Sequence, residues 1–144
     1  EDRLAFCAQR LGATACITPG TDDVSELAAQ SGGEFYDVVF DATGNAAAMQ
    51  RGFRYVAHGG TYVLISVVQA DITFNDPEFH KRETTLMGSR NATSEDFETV
   101  LQAMRAGRIP EGLNTHRMAL ADVPAHFADL LDPSAGVVKA IVEC

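Results

Sequence analysis

Apolar positions along the chain alternate between runs that suit strands and stripes that suit helices. Residues 36–41, Tyr36-Asp37-Val38-Val39-Phe40-Asp41, form a short apolar run that ends on a carboxylate and turns through Ala42-Thr43-Gly44. A β-branched run of that length, apolar on both faces, predicts a central parallel strand covered by helices on both sides. Residues 61–67, which follow the turn-like His58-Gly59-Gly60, predict a second such strand, and residues 84–89 a third. Residues 13–17, 116–120 and 137–142 are further strand candidates, and 71–74 reads as a short edge strand.

Helical spacing fills the intervals. Leu4, Cys7, Ala8 and Leu11 recur on one face from residue 3, with Glu1 and Asp2 in the first turn and Gly12 as the terminator. Asp22 and Asp23 are positioned to cap a helix that runs to Gln30 and stops at Gly32-Gly33. Asn45 offers the cap for a helix over 46–56, and Asp76-Pro77 places proline in an early helical position. Thr93 or Ser94 caps the strongest pattern, where Phe97, Val100, Leu101 and Met104 form one stripe that Gly107 ends. A last helix is expected over 122–131. Strands alternating with helices of about ten residues predict an α/β fold built on a parallel sheet.

The strand ends carry the first functional signal. Asp41-Ala42-Thr43-Gly44, Ile65-Ser66-Val67 and Met87-Gly88-Ser89-Arg90 would all lie at the carboxyl edge of one parallel sheet. Ligands of open α/β sheets bind at that edge, and small or hydroxyl side chains leave room for a flat ring against the backbone. Any one of these ends could simply be a tight strand terminus; three in succession favour a binding edge.

Composition narrows the partners. A net charge of −9 over 144 residues argues against nucleic acid, which is bound by neutralising phosphates with Lys and Arg. No apolar run approaches the ~20 residues of a membrane span. The three cysteines, Cys7, Cys16 and Cys144, are scattered and form no C-x-x-C pair, so they read as reduced structural residues of a cytoplasmic protein. The four histidines are too dispersed for metal-ligand spacing. His80-Lys81-Arg82-Glu83 reads as a solvated charged face. No G-x-S-x-G elbow, P-loop, H-E-x-x-H or complete G-x-G-x-x-G is present. Asp41 could be the acceptor of a phosphorylation receiver, but the preceding strand candidate ends in Thr18-Pro19-Gly20 and supplies no acidic pair for the Mg²⁺.

The order of motifs resembles the carboxyl-terminal half of the zinc-type medium-chain alcohol and polyol dehydrogenases. It rests on Asp2-Arg3-Leu4 with Leu11-Gly12-Ala13, the 36–44 tract, Gly59-Gly60-Thr61, and Lys81-Arg82-Glu83 with Leu86-Met87-Gly88-Ser89. Phe97 to Gly107 and Val137-Val138-Lys139 complete it, so the resemblance covers essentially the whole chain. Gly88-Ser89-Arg90-Asn91-Ala92 looks like the branch that acts on sugar alcohols, sugar acids and threonine-like substrates.

The resemblance implies a truncated Rossmann-like parallel sheet with flanking helices, lacking the βαβ unit that carries the glycine-rich loop. Residues 1–113 would be a partial NAD(P)-binding domain, and 114–144 a segment that returns to the catalytic domain. Cofactor contacts would come from Arg3 beside the adenosine ribose and from Ala42, Thr43 and Gly44 at the nicotinamide ribose. Ile65, Ser66 and Val67, with Gly88, Ser89 and Arg90, would touch the nicotinamide, and Lys139 would lie near the pyrophosphate. NAD or NADP is the implied cofactor, and zinc belongs to the intact enzyme without being bound by this chain. The family's sheet order, 3-2-1-4-5-6, would put strand 13–17 a gap of about 10 Å from strand 36–41, or force the two to re-pair. The implied partners are a small alcohol or polyol and a second copy joined through a sheet edge, with no nucleic acid and no membrane. The implied reaction is hydride transfer between an alcohol, polyol or sugar acid and nicotinamide, with this chain alone inactive. A zinc-free quinone or enoyl reductase, and a non-catalytic nucleotide-binding module, are the competing readings.

Overall fold

In the computed structural model, residues 2–20, 22–110 and 112–144 are described; Glu1, expected in the first helical turn, lies outside them. In chain order the elements are α1 (Asp2–Arg10), α2 (Asp23–Gln30), β1 (Tyr36–Asp41), α3 (Ala46–Gly52), β2 (Val56–Leu64) and α4 (Asp76–Lys81). They continue with β3 (Thr85–Gly88), α5 (Ser94–Arg105), β4 (His116–Ala119), α6 (Val123–Leu130) and β5 (Ala140–Glu143). The chain divides into two units, Thr18–Ala92 and the combination of Glu1–Ile17 with Thr93–Cys144. Every strand pair is parallel, which makes the fold α/β as expected.

Unit Thr18–Ala92 holds one three-stranded sheet in the order β1-β2-β3. The register sets Asp41 beside Leu64 and Leu64 beside Gly88, so three strand ends form one row. The central strand is β2, where Val56, Tyr62 and Val63 are buried, and not residues 36–41. In β1, Val39 and Asp41 turn toward α3, while Tyr36, Val38 and Phe40 are exposed, Phe40 by 65%. Period-two alternation explains the division: α3 covers one face of β1 and nothing among the described residues covers the other. At the other edge β3 is exposed throughout, so 84–89 is not a core strand.

His58-Gly59-Gly60 is not a turn between elements but an irregularity inside β2, where the register slips between Tyr36 and Val38. A Cβ on Gly60 would lie 2.8 Å from the Val56 side chain and 3.0 Å from the Asp37 carbonyl oxygen, so only glycine fits the bulge. The helix expected over 46–56 accordingly ends at Gly52 and tightens into a 3-10 turn at Phe53–Tyr55. Asn45 caps it as expected, accepting from the Ala48 amide at 3.0 Å. The core is small: Tyr62, Met49 and Val56 are its fully buried large side chains, and Tyr62 donates to the Met49 carbonyl at 2.8 Å. Burial holds the Tyr62 phenol far above its usual range, with the Asp41 charge adding to it.

A second polar cluster ties α2 to the 3-10 turn. The Asp23 carboxylate, 3% exposed, takes the Arg51 guanidinium at 3.0 Å and the Tyr55 hydroxyl at 2.7 Å. Burial and then the Asp23 bond raise the Tyr55 phenol above its ordinary value. Arg82 is likewise no solvated residue: it donates to the Val56 carbonyl at 2.7 Å and stacks over the Phe35 ring at 4.8 Å.

In the other unit, β4 and β5 pair in parallel across the crossover helix α6. Thr93 and Asp96 form a reciprocal capping box on α5, whose stripe of Phe97, Val100, Leu101 and Met104 stays exposed. Two strand expectations fail and a third shortens. Residues 13–17 form no strand, because an extended segment without a neighbouring ladder has no hydrogen-bonded partners to define one. Residues 71–74 are irregular, with Phe74 drawn against Phe53 and Phe79 rather than along a sheet edge. The last strand shrinks to Ala140–Glu143 because the 3-10 turn Pro133–Ala135 and Gly136, at φ +65°, occupy the approach.

Candidate functional site

The row formed by Asp41, Leu64 and Gly88 is the carboxyl edge of the sheet, and a hydrogen-bonded clasp shapes it. Asp41 is 5% exposed, held between the end of β1 and the turn into α3. Its Oδ1 accepts from the Thr43 amide at 3.1 Å and from the Ser66 hydroxyl at 2.7 Å. The Thr43 hydroxyl donates to Oδ2 at 3.0 Å and itself accepts from the Asn45 amide at 3.2 Å. Ser66 closes the circuit by accepting from the Gly44 amide at 3.0 Å. Backbone bonds extend the same order across the sheet: Ile65 and Ser66 amides to the Asp41 carbonyl at 2.9 and 3.2 Å, and the Ser89 amide to the Leu64 carbonyl at 2.9 Å.

Local chemistry explains why the chain folds this way here. An aspartate two residues before an amide readily closes a side-chain turn on it, and a following threonine adds a second donor. Gly44 takes φ +61°, a left-handed conformation glycine adopts without strain, with open space where a Cβ would stand. Asn91, at φ +63°, turns the chain just beyond Arg90. The outcome is a rim of exposed backbone: Ala42, Thr43, Gly44, Ile65, Val67, Gly88, Ser89 and Arg90 are exposed, and Ser66 is half-buried between them. A flat ring can approach this rim against peptide groups, with Gly88 offering open space at its β3 end.

Nine of the eleven residues expected at a cofactor are therefore brought to one edge of one unit: 42–44, 65–67 and 88–90. Arg3 and Lys139 belong to the other unit. There Arg3 donates to the Val137 carbonyl at 3.3 Å, two residues from Lys139. Lys139 is exposed just before β5, its carbonyl accepting from the His116 amide at 3.2 Å.

Asp41 is the functional residue that sequence reasoning missed. The sequence places it at a strand end and excludes it as a phosphorylation acceptor, whereas the structure gives it four contacts from three donors, which make it the anchor of the rim. The signal was legible in Asp-Ala-Thr-Gly, since an aspartate followed at the second residue by threonine is turn chemistry. Its bond to Ser66, 25 residues away, was not. Among the described residues no group of three His, Cys, Asp or Glu side chains could hold a metal ion, and no helix is long and apolar enough to cross a membrane.

Residues 1–106 match the family model for zinc-binding dehydrogenases. Over 128 residues the chain is 38% identical to L-galactonate-5-dehydrogenase of Escherichia coli K12, covering 88% of this chain and 38% of that protein. It is 28% identical to D-xylulose reductase of Scheffersomyces stipitis, covering 99% of this chain and 42% of that protein. The chain thus spans about two fifths of the length of these relatives. Among solved structures, an alcohol dehydrogenase of Escherichia coli CFT073 complexed with NADH superposes with a TM-score of 0.86 at 18% identity, over 100% of this chain and 42% of that one. Butanediol dehydrogenase of Bacillus subtilis superposes with a TM-score of 0.74 at 23% identity, over 87% of this chain and 36% of that one. At such identities the likeness is one of fold.

Proposed function

The chain belongs to the zinc-binding dehydrogenase family, and from that premise we propose that its strand-end rim holds the nicotinamide of NAD or NADP in a polyol or sugar-acid dehydrogenase. The observation that carries this reading is the Asp41–Ser66–Thr43 clasp, which ties the ends of β1 and β2 together, with the Ser89 amide bonded to the Leu64 carbonyl adding the end of β3 to one exposed shelf of peptide groups. A nicotinamide is a flat ring with a carboxamide that both donates and accepts, and a shelf of backbone amides and carbonyls matches it. A nicotinamide held there would supply the hydride acceptor for oxidation of the substrate carbinol. This chain's own share is orientation: Ala42, Thr43 and Gly44 hold the ribose end of the shelf, and Ile65, Ser66 and Val67 with Gly88, Ser89 and Arg90 its nicotinamide end. Arg3 and Lys139 are proposed at the adenosine and pyrophosphate, as the family resemblance places them.

Among the described residues no group of three His, Cys, Asp or Glu side chains could hold a zinc ion. In the proposed division of labour residues 1–113 serve the nucleotide, 114–144 lead toward the catalytic part, and polarising the alcohol falls to residues outside this chain. The relatives' names, a galactonate dehydrogenase and a xylulose reductase, favour a polyhydroxylated substrate. We further propose a homo-oligomer formed through the open edge of β3, because an unpaired strand edge favours a partner, and a cytoplasmic location.

The test is nicotinamide reduction by the complete gene product against a panel of alcohols, polyols and sugar acids, with and without a zinc chelator. Oxidation of a polyol or sugar acid that a chelator abolishes is the expected result, with residues 1–144 alone inactive. Chelator-resistant reduction of a quinone or enoyl compound would replace it with the zinc-free reductase reading. Tight NADH binding by residues 1–144 alone, with no oxidation of any alcohol by the complete product, would replace it with a nucleotide-binding module.

A further inference from the structure

Parallel topology places a second cavity at the amino end of the sheet, opposite the strand-end rim and within unit Thr18–Ala92. It is an open cleft of about 550 Å³ between the end of α3, the irregular 71–75 stretch and α4. A volume of that size lies inside the ~300–1,000 Å³ range of small-molecule sites. Its floor is aromatic. Phe53 stacks on Phe74 at 4.8 Å between ring centroids, and Phe79 closes on Phe74 at 4.8 Å. The 71–75 stretch is tied down at Thr73, whose amide and hydroxyl both donate to the Gln50 side chain, so the floor is braced rather than loose.

Two polar groups on the wall are not consumed by the fold. Thr84 is 8% exposed and lines the cleft, and its hydroxyl makes no hydrogen bond among the described residues. Among the described residues no buried side-chain oxygen is sealed without a partner, so that hydroxyl keeps some access to solvent. Arg54 lines the same cleft, and its guanidinium makes no ion pair or hydrogen bond among the described residues. The other charges there are already engaged: Arg82 bonds the Val56 carbonyl and faces Glu78 at 3.7 Å, and Glu78 also faces Lys81 at 3.8 Å. The lining therefore carries one uncommitted positive charge on a chain whose net charge is −9.

We propose that this cleft binds a small carboxylate with an aromatic body, the ring lying on Phe53, Phe74 and Phe79, the carboxylate on Arg54, and a polar edge meeting Thr84. Aromatic faces supply contact area, a guanidinium matches a carboxylate in its planar geometry, and a buried hydroxyl left open rewards a ligand that satisfies it. The site is independent of the nucleotide reading, because no lining residue belongs to the strand-end rim.

The experiment is calorimetric titration of the complete gene product with phenylpropionate and, as the neutral counterpart, phenylpropanol. Arg54→Gln and Thr84→Val serve as variants, the latter close in shape and free of the hydroxyl. Phenylpropionate should bind, and phenylpropanol should bind roughly five- to tenfold more weakly, as should phenylpropionate to Arg54→Gln. Thr84→Val should weaken phenylpropionate by roughly three- to tenfold. NADH affinity, measured on the same samples, should be unchanged in both variants, which separates failure of this site from failure of the nucleotide rim. No binding of either compound at millimolar concentration overturns the site. Equal affinity for acid and alcohol, or for Arg54→Gln and the parent, overturns the carboxylate assignment. An unaltered Thr84→Val removes the inner hydroxyl from the site.

Discussion

Replacing Ser66 with alanine tests whether the clasp organises the rim or merely decorates it. Ser66→Ala deletes the 2.7 Å bond to the Asp41 carboxylate and leaves the Gly44 amide without its acceptor. A hydrogen bond to a charged group contributes about 1.5–3 kcal/mol, but Asp41 keeps both Thr43 donors, so the lower end applies. The Gly44 amide belongs to an exposed residue and can be rehydrated, so it adds little. The expected loss is about 1.5–2 kcal/mol in the ordering of the turn. If the free protein holds the turn ready for cofactor, the ligand must now supply that order, and the loss appears in affinity. At about 1.4 kcal/mol per tenfold, the Kd for NADH should rise by roughly three- to tenfold, allowing for partial recovery by water. Fluorescence titration of NADH into the complete gene product reads it, with a thermal melt confirming that the variant folds. In an Asp41→Asn background the same substitution should weaken binding less, since the lost bond no longer meets a charge. A Kd within twofold of the parent in a folded Ser66→Ala protein would refute the reasoning.

Two further outcomes follow from packing and capping. Gly52→Ala would drive a Cβ against the Tyr62 hydroxyl and to within 2.6 Å of its Cζ, in a residue only 1% exposed. Overpacking of that kind destabilises by about 1–3 kcal/mol, read as a lowered urea midpoint, and an unchanged midpoint would mean that the Tyr62 ring moves freely. At α5, the Thr93 amide and then its hydroxyl hold the Asp96 carboxyl below its ordinary value. A depressed folded value stabilises the cap above the unfolded pKa of about 3.9 and loses that stabilisation as pH falls through the folded one. Thr93→Val keeps the amide and should return the Asp96 titration part of the way toward the ordinary value in a carboxyl-detected NMR titration, and no upward movement would remove the hydroxyl from the cap.

What the sequence alone determined was local. The apolar run at 36–41, the helix over 94–105 with its Thr93 cap, and the proline-led turn at Asp76 each follow from short-range rules that neighbours do not override. The parallel α/β class and the gathering of 42–44, 65–67 and 88–90 at one edge were also legible, because strand direction alone puts successive carboxyl ends together. Which strand is central was not legible, since β1 and β2 read alike and only their pairing decides that Tyr62 is buried while Phe40 is exposed. Residues 13–17 show the same limit, because a strand exists only with a ladder partner. The glycines at 59 and 60 look like a turn until the Asp37 and Ala57 carbonyls packed against Gly60 show that it fills a bulge. The clasp itself belongs to tertiary structure: Asp41 and Ser66 lie 25 residues apart, and only the in-register pairing of β1 with β2 brings the hydroxyl to the carboxylate.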